Sequence, residues 1–155
     1  ARQGLMFKNL DQPVLVFMSL FQYMIGNTDY SILVLHNVRM LVDAENRYLP
    51  IPYDFDYSGL VEAHYALPAK ALELSSVAER MYRGPCVPEA EFQAALAPFR
   101  EKKDEVLGMP ATIPGLEEGH RKDAEKYLRE FYETIERPDR FNRVFGKGCK
   151  PIGGM

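Results

Sequence analysis

Residues 24–61 read MIGNTDYSILVLHNVRMLVDAENRYLPIPYDFDYSGLV, and they place oxygen-rich side chains at the ends of apolar, strand-like runs. Three of these side chains are carboxylates and two are amides: Asp29, Asp54, Asp56, Asn27 and Asn37. Packing alone does not account for them, because a carboxylate beside apolar groups loses hydration unless a partner satisfies it. Carboxylate and amide oxygens are the ligands that Mg²⁺ and Ca²⁺ prefer. This segment is therefore predicted to hold the chemistry of the chain.

A β-hairpin is predicted in the middle of this segment. Residues 38–42 and 48–53 are rich in β-branched and aliphatic side chains, and the polar residues 43–46 between them supply a turn. Asn37 precedes the first strand and Asp54 follows the second. Because a hairpin brings its two outer ends together, we expect these two side chains to lie within a few ångströms of each other, although they are distant in sequence.

A buried helix is predicted just before the hairpin. Only two of the residues 14–25 are conventionally polar, so this helix should be buried on nearly all sides. Asp11 suits its N-cap, and Pro13 is tolerated in its first turn. Gly26 is a typical helix end. Asp29 then lies in a loop at the foot of a core helix, which is a rigid mount for a reactive carboxylate.

The rest of the chain is predicted to be mostly helical. Its segments are 69–83 (one or two short helices), 89–107 (a helix kinked at Pro98), 109–115 (a proline-rich connection) and 116–135 (the clearest amphipathic helix). The predicted fold is mainly α with a small β-hairpin (α+β). One domain is expected over residues 1–145, followed by a poorly ordered tail at 146–155.

Composition restricts the classes of function that fit. The 155 residues are 46% hydrophobic, enough for one domain with a real core, and the formal net charge is −3. No basic stripe runs through the sequence, so nucleic acid is not an expected partner. The apolar run at 14–25 is about half the ~20 residues that a membrane span needs. No membrane span is therefore expected.

The two cysteines leave the cellular compartment open. Cys86 and Cys149 are far apart and lack the spacing of a metal site. Their positions are compatible with a disulfide but do not imply one. A soluble protein is expected, and the sequence does not decide between a cytoplasmic and a secreted location.

The order of the polar residues resembles that of a protein kinase. In kinases a catalytic-loop Asp accepts the proton of the substrate hydroxyl, and an Asn a few residues later binds metal. A hairpin then leads to a second Asp, which binds the Mg²⁺ that bridges the nucleotide phosphates. Asp29, Asn37 and Asp54 occur in this order, and they also follow a predicted buried helix.

Three short motifs resemble those of atypical kinases: Gly26-Asn27-Thr28-Asp29, then His36-Asn37, then Ile51-Pro52-Tyr53-Asp54-Phe55-Asp56 with Ser58-Gly59. They are similar to the motifs of CotH-like spore-coat kinases and, more distantly, of HipA-like kinases. The resemblance implies the C-terminal lobe of the protein-kinase-like fold. It also implies that Asp29 is the catalytic Asp, that Asn37 and Asp54 are metal ligands, and that Asp56 is a further ligand or supports one.

The activity implied by this resemblance is transfer of the γ-phosphoryl group of ATP to a hydroxyl acceptor, either a protein or a small molecule. ATP and Mg²⁺ are the expected cofactors, with Mn²⁺ or Ca²⁺ as alternatives for the cation. The residues before Asp29 are too few for a nucleotide-binding N-terminal lobe, and no glycine-rich loop followed by a strand lysine precedes it. That lobe is therefore expected to be absent from this chain.

Two alternatives to a kinase use the same residues. One is a non-catalytic kinase-like binding module in which the acids form a structural cation site. The other is a metal-dependent hydrolase in which the acidic cluster activates water.

Other polar residues are assigned structural roles. His36 is interpreted as a packed or hydrogen-bonded histidine rather than as a base or a ligand. Arg80 and Arg83 could hold a phosphate, but the favoured interpretation pairs Arg83 with Glu79 at i,i+4 on a helix face. The charged run at 117–130 is interpreted as a solvated helix face.

Overall fold

Five α-helices and one two-stranded antiparallel sheet form the part of the chain that the structure, a computed structural model, describes, which is residues 9–152. The elements are α1 (Gln12–Ile25), β1 (Val38–Val42), β2 (Tyr48–Pro52), α2 (Glu89–Glu101), α3 (Lys103–Thr112), α4 (Glu118–Glu136) and α5 (Pro138–Phe141). A 3₁₀ turn at Lys70–Leu72 and a π-helical turn at Asn142–Gly146 complete the set. The prediction of a mainly α fold with a small β-hairpin is confirmed.

Helix α1 contacts α2, α4 and β2, and its ends follow from local sequence signals. At its start the Oδ1 atom of Asp11 accepts a hydrogen bond from the Val14 amide at 3.1 Å, and Pro13 lies in the first turn. At its end Gly26 adopts a φ of 68°, which glycine reaches without steric cost. The helix is largely buried as predicted, except on the side of Phe17, which is 43% exposed.

The main core is aromatic and fixes the C-terminal end of α1. Fully buried Phe145 lies at ring-centroid distances of 5.1–5.9 Å from four other aromatic side chains: Tyr23, Tyr82, Phe92 and Phe141. Ring pairs of this kind contribute about 0.5–1.5 kcal/mol each beyond the area that they bury. Because Tyr23 belongs to the last turn of α1, the loop that follows this helix starts from a rigid point.

A second, smaller core attaches the hairpin to α1. Its buried members are Leu10, Leu15, Met18, Tyr30, Ile32 and Val38. Leu10 precedes α1, and the others come from α1, from the loop after it and from the first residue of β1, so their burial holds the start of the hairpin against the helix. In the sheet Val38 lies opposite Pro52, and Val42 lies opposite Tyr48. The predicted strands at 38–42 and 48–53 are thus confirmed to within one residue.

The prediction of helices at 69–83 was wrong. This segment contains one 3₁₀ turn, at Lys70–Leu72, and otherwise runs through turns and extended backbone. In this path Tyr82 enters the aromatic core, and Arg80 and Arg83 reach backbone carbonyls at the end of α1 and beyond it. Such long-range contacts outweigh the weak local preference for helix.

The predicted kinked helix at 89–107 is two helices. Helices α2 and α3 meet at Lys102, and Pro98 lies inside α2 rather than at the break. Proline lacks the N–H that would bond the carbonyl four residues earlier, which weakens the helix close to its end. Helix α3 then continues to Thr112, through part of the connection that was predicted at 109–115.

Helix α4 confirms the amphipathic helix predicted at 116–135. Its buried side chains are Leu128, Phe131, Tyr132 and Ile135, while the charged run that precedes and surrounds them is mostly exposed. In the described part of the chain, no helix combines the length and the apolar character needed to cross a membrane.

A disulfide joins the C-terminal end of the fold to its middle. Cys86 and Cys149 are bonded, with their Cα atoms 4.9 Å apart. Beside the bridge, the Cys86 amide donates to the Lys150 carbonyl at 2.7 Å, and the Lys150 amide donates to the Gly84 carbonyl at 2.9 Å. The tail expected at 146–155 is therefore tied down over its described part, which corrects that expectation, and its last three residues lie outside the described range.

Removing this disulfide should destabilise the fold. The bridge spans 63 positions of sequence, so replacing both cysteines by serine enlarges the unfolded ensemble. We expect the free energy of unfolding to fall by about 2–4 kcal/mol. Urea denaturation of the oxidised wild type and of the Cys86→Ser/Cys149→Ser variant measures the difference. Equal midpoints with equal slopes would contradict a stabilising role for the bridge.

Candidate functional site

The loop that carries Asp29 is fixed by a buried amide. Asn27 is 1% exposed, and its Nδ2 atom donates to Oε1 of Gln22 in α1 at 3.1 Å. Its Oδ1 atom accepts a hydrogen bond from the Asp29 amide at 3.0 Å. Because Gly26 turns the chain at the helix end, both bonds form within a few residues of α1. The backbone of Asp29 is thus anchored on the core helix, as the sequence predicts.

The carboxylate of Asp29 is held on both sides. Its Oδ1 atom lies 3.0 Å from Nε2 of His36, and its Oδ2 atom accepts a hydrogen bond from Nδ2 of Asn37 at 3.1 Å. The same Asn37 nitrogen also donates to the Asp29 carbonyl at 2.8 Å. The Asp29 side chain remains 35% exposed, so a ligand can reach it. The interpretation of His36 as a hydrogen-bonded histidine is confirmed, and its partner is the predicted catalytic Asp.

The hairpin begins beside this carboxylate, because Asn37 immediately precedes β1. The Tyr53 amide donates to the Asn37 carbonyl at 3.0 Å, directly beyond the last ladder pair. Asn37 and Asp54 both adopt left-handed backbone conformations, with φ values of 52° and 62°. Asn and Asp tolerate this region better than other residues with a Cβ. The backbone of Asn37 is thus paired with Tyr53, the neighbour of Asp54, while the proximity of the Asn37 and Asp54 side chains stays a prediction.

Negative charge accumulates at the end of β2. The pKa of the Asp54 carboxyl is raised above its usual range, chiefly because the Asp56 carboxyl lies within hydrogen-bonding reach and repels the ionised form. Partial desolvation and the charge of Asp29 raise this pKa further, while His36 opposes the shift.

Asp56 is oriented by a tyrosine that the sequence analysis did not single out. The hydroxyl of Tyr65 donates to Oδ2 of Asp56 at 3.0 Å, and this bond is the main reason why the pKa of Tyr65 is raised. Phe55, which lies between Asp54 and Asp56 in the sequence, packs edge-on against Phe21 of α1, with ring centroids 5.6 Å apart. Residues 54–56 are thereby fixed to α1, the helix that also anchors the loop of Asp29.

The metal ligands that the sequence predicts are hard oxygen donors, the type that divalent cations such as Mg²⁺ prefer. In residues 9–152 no three His, Cys, Asp or Glu side chains form a group that could hold a metal ion. The predicted ligands are two carboxylates, Asp54 and Asp56, together with the amide of Asn37. Because Nδ2 of Asn37 donates to Asp29, the side-chain oxygen Oδ1 of Asn37 is the atom left to act as a ligand. Mg²⁺ commonly uses only one or two carboxylates and completes its shell with water and phosphate oxygens.

Two arginines support the site, and their contacts differ from the favoured interpretation. Arg83 does not pair with Glu79, because Glu79 accepts hydrogen bonds from Ser75. Arg80 donates to the Tyr23 carbonyl at 3.1 Å and, through Nε and Nη2, to the Met24 carbonyl at the C-terminal end of α1. Arg83 donates to carbonyls of the Asp29 loop. No local sequence pattern signals these contacts.

Segment 58–60 also docks on the end of α1. The Gly59 amide donates to the Gly26 carbonyl at 3.1 Å, and the Leu60 amide donates to the Ile25 carbonyl at 3.0 Å. A Cβ atom on either glycine would collide with the hydroxyl of Tyr127, so close packing requires glycine at both positions. Beyond this contact lies an apolar cavity of about 450 Å³ between α1, α2, α3 and α4.

No family model, curated protein or solved structure matches this chain.

Cation binding at this site should depend on pH in a defined direction. Because the pKa of Asp54 is raised, the folded protein binds a proton at Asp54 more tightly than the unfolded chain does. The cation-free fold therefore gains stability relative to the unfolded chain as this proton binds. A cation must displace that proton. We therefore expect Mn²⁺ affinity to fall as the pH drops, beginning above the usual Asp pKa of about 3.9.

Titration of Mn²⁺ followed by electron paramagnetic resonance, repeated from neutral to mildly acidic pH, measures this effect. In the absence of cation, Asp54→Asn should melt at a higher temperature than the wild type, because the substitution removes a repulsion. An affinity that stays constant down to the ordinary Asp range would contradict the predicted role of Asp54.

Proposed function

We propose that this chain is the C-lobe-like part of a Mg²⁺- and ATP-dependent phosphotransferase that acts on a hydroxyl acceptor. The observation that carries the proposal is the pair of hydrogen bonds from Asn37 to Asp29 at the open end of the hairpin, where the Asn37 carbonyl also accepts from the amide of Tyr53, the neighbour of Asp54. Asp29, Asn37 and Asp54 occur in the order, and follow the kind of helix, that phosphotransferases of the protein-kinase type use.

Each residue has a distinct role in the proposed reaction. Asp29 accepts a hydrogen bond from the acceptor hydroxyl and takes up its proton as the phosphoryl group is transferred. Its bonds to His36 and Asn37 fix the direction of the carboxylate. Asn37, Asp54 and Asp56 are the residues that would hold the cation. When bound, Mg²⁺ neutralises the charge of the nucleotide phosphates.

A non-catalytic cation-binding module is the second candidate, and one observation favours it. In residues 9–152 the sheet has two strands, and no glycine-rich loop of the kind that covers nucleotide phosphates in kinases accompanies it. In that case the same acids would bind a divalent cation for stability alone, without turnover of ATP.

The disulfide favours an oxidising location for this activity. Disulfides persist in secreted and other oxidising compartments and are rare in the reducing cytosol. The Cys86–Cys149 bridge therefore favours the secreted alternative over the cytoplasmic one.

Paired variants separate these functions. Mn²⁺ binding and ATP turnover with Mg²⁺ are measured for the wild type, Asp29→Asn and Asp54→Asn, with phosphorus NMR to identify the products. We expect Asp29→Asn to keep cation binding and to lose turnover by about 100-fold or more. Asp54→Asn should lose both. Asp123→Asn, an exposed position on α4, is the matched control and should keep both.

Each outcome assigns one function. Phosphate attached to a hydroxyl group supports the phosphotransferase. Release of inorganic phosphate without an acceptor indicates the hydrolase, and cation binding without any turnover indicates the module. If neither Asp29→Asn nor Asp54→Asn alters any cation- or nucleotide-dependent signal, the site assignment is wrong.

A further inference from the structure

Arg83 touches the backbone on both sides of Asp29. Its Nη1 atom donates to the Thr28 carbonyl at 2.6 Å and to the Tyr30 carbonyl at 2.5 Å. Its guanidinium carbon lies 5.2 Å from the ring centroid of Tyr30, which is 4% exposed. Burial raises the pKa of Tyr30 to about 12, so this ring stays neutral at physiological pH and serves as a packing surface.

These two bonds constrain the orientation of Asp29. The carbonyls of residues 28 and 30 belong to the peptide groups that flank Asp29 and its neighbour, so holding both limits rotation of the backbone between them. The Asp29 amide is separately bonded to Asn27. Both bonds come from Nη1, which the planar guanidinium lying over the Tyr30 ring holds in position, whereas a lysine ammonium on a flexible stem has no such support.

Arg83 is itself held in place by the chain around it. Residues 83–86, here called the strap, continue from Tyr82 in the aromatic core to Cys86 in the disulfide. Gly84 in the strap is buried against Tyr82 and Ser19, where a Cβ atom would not fit. The Lys150 amide bonds the Gly84 carbonyl, so the strap is fixed from both ends.

We propose that Arg83 is a positioning residue that sets the orientation of Asp29 through the carbonyls of Thr28 and Tyr30, with the strap as its rigid support. This inference rests on the proposed function, because it assigns Arg83 a role in the same reaction. The described contacts of Arg83 are with the carbonyls of Thr28 and Tyr30 and with the Tyr30 ring, and none is with Asp54 or Asp56, so it acts through the backbone of the Asp29 loop.

Hydrogen exchange tests the positioning role without relying on activity. Amide exchange is measured by NMR for the wild type, Arg83→Gln, Arg83→Lys and the matched control Arg129→Gln, whose arginine makes an exposed pair on α4. In Arg83→Gln we expect the amides of Asp29, Ser31 and His36 to exchange at least about tenfold faster. The amides of Leu128 and Phe131 in α4 should be unchanged, and Arg129→Gln should match the wild type throughout.

Phosphotransfer kinetics supply the second readout. If the wild type turns over ATP, Arg83→Gln should lower kcat by about tenfold or more with KM for ATP within about twofold, because binding groups are untouched. Arg83→Lys should recover part of the lost rate. Mn²⁺ affinity should stay within about twofold of the wild type in both variants.

The outcomes are distinguishable. If exchange in the Asp29 loop does not change, or if exchange rises equally in α4, Arg83 is only a general stabilising residue and the inference fails. If Arg83→Gln does not fold, the same exchange measurement on Arg83→Lys tests the inference, because lysine keeps the charge and the bulk but not the planar guanidinium. If the wild type shows no turnover, the proposed function fails while the exchange data still decide the positioning role.

Discussion

The hydrogen bonds from Asn37 to Asp29 join the two halves of the candidate site. One amide nitrogen at the start of the hairpin donates to both the carboxylate and the carbonyl of Asp29, at 3.1 and 2.8 Å. Because Asn37 also accepts from the Tyr53 amide, the same residue fixes the other end of the hairpin and the acids that follow it. Through this residue the loop after α1 is hydrogen-bonded to the residue that follows β2.

Helix α1 supplies the rigid reference for everything around it. The aromatic core holds its last turn, and the smaller apolar core attaches the start of β1 to it. Three separate segments then bind its C-terminal end: the Asp29 loop through Asn27, segment 58–60 through Gly59, and the side chain of Arg80. Helix ends leave several carbonyls unpaired, and here donors from distant parts of the chain satisfy them. This arrangement concentrates the polar groups at one place beside a well-packed core.

Local patterns in the sequence predict much of this arrangement, and their limits are physical. Asp11, Pro13 and Gly26 mark the ends of α1 because capping depends on neighbouring residues alone. The proximity of Asn37 and Asp54 follows from strand pairing across a short turn. Arg83 contacts residues that lie 53 and 55 positions before it in the sequence, and the disulfide joins cysteines that are separated by 63 positions. Such pairings depend on the packing of the whole chain, so a single sequence does not reveal them, and the helices predicted at 69–83 fail for the same reason.

Paramagnetic broadening by Mn²⁺ tests most directly whether the acids and the amide form one cation site. In NMR spectra of labelled protein, substoichiometric Mn²⁺ should first broaden the signals of Asn37, Asp54 and Asp56, and then that of Asp29, because broadening falls steeply with distance from the ion. Signals of the acidic residues on the exposed face of α4 should persist. Broadening that begins on α4, or that affects the two ends of the hairpin independently, would contradict a single shared site.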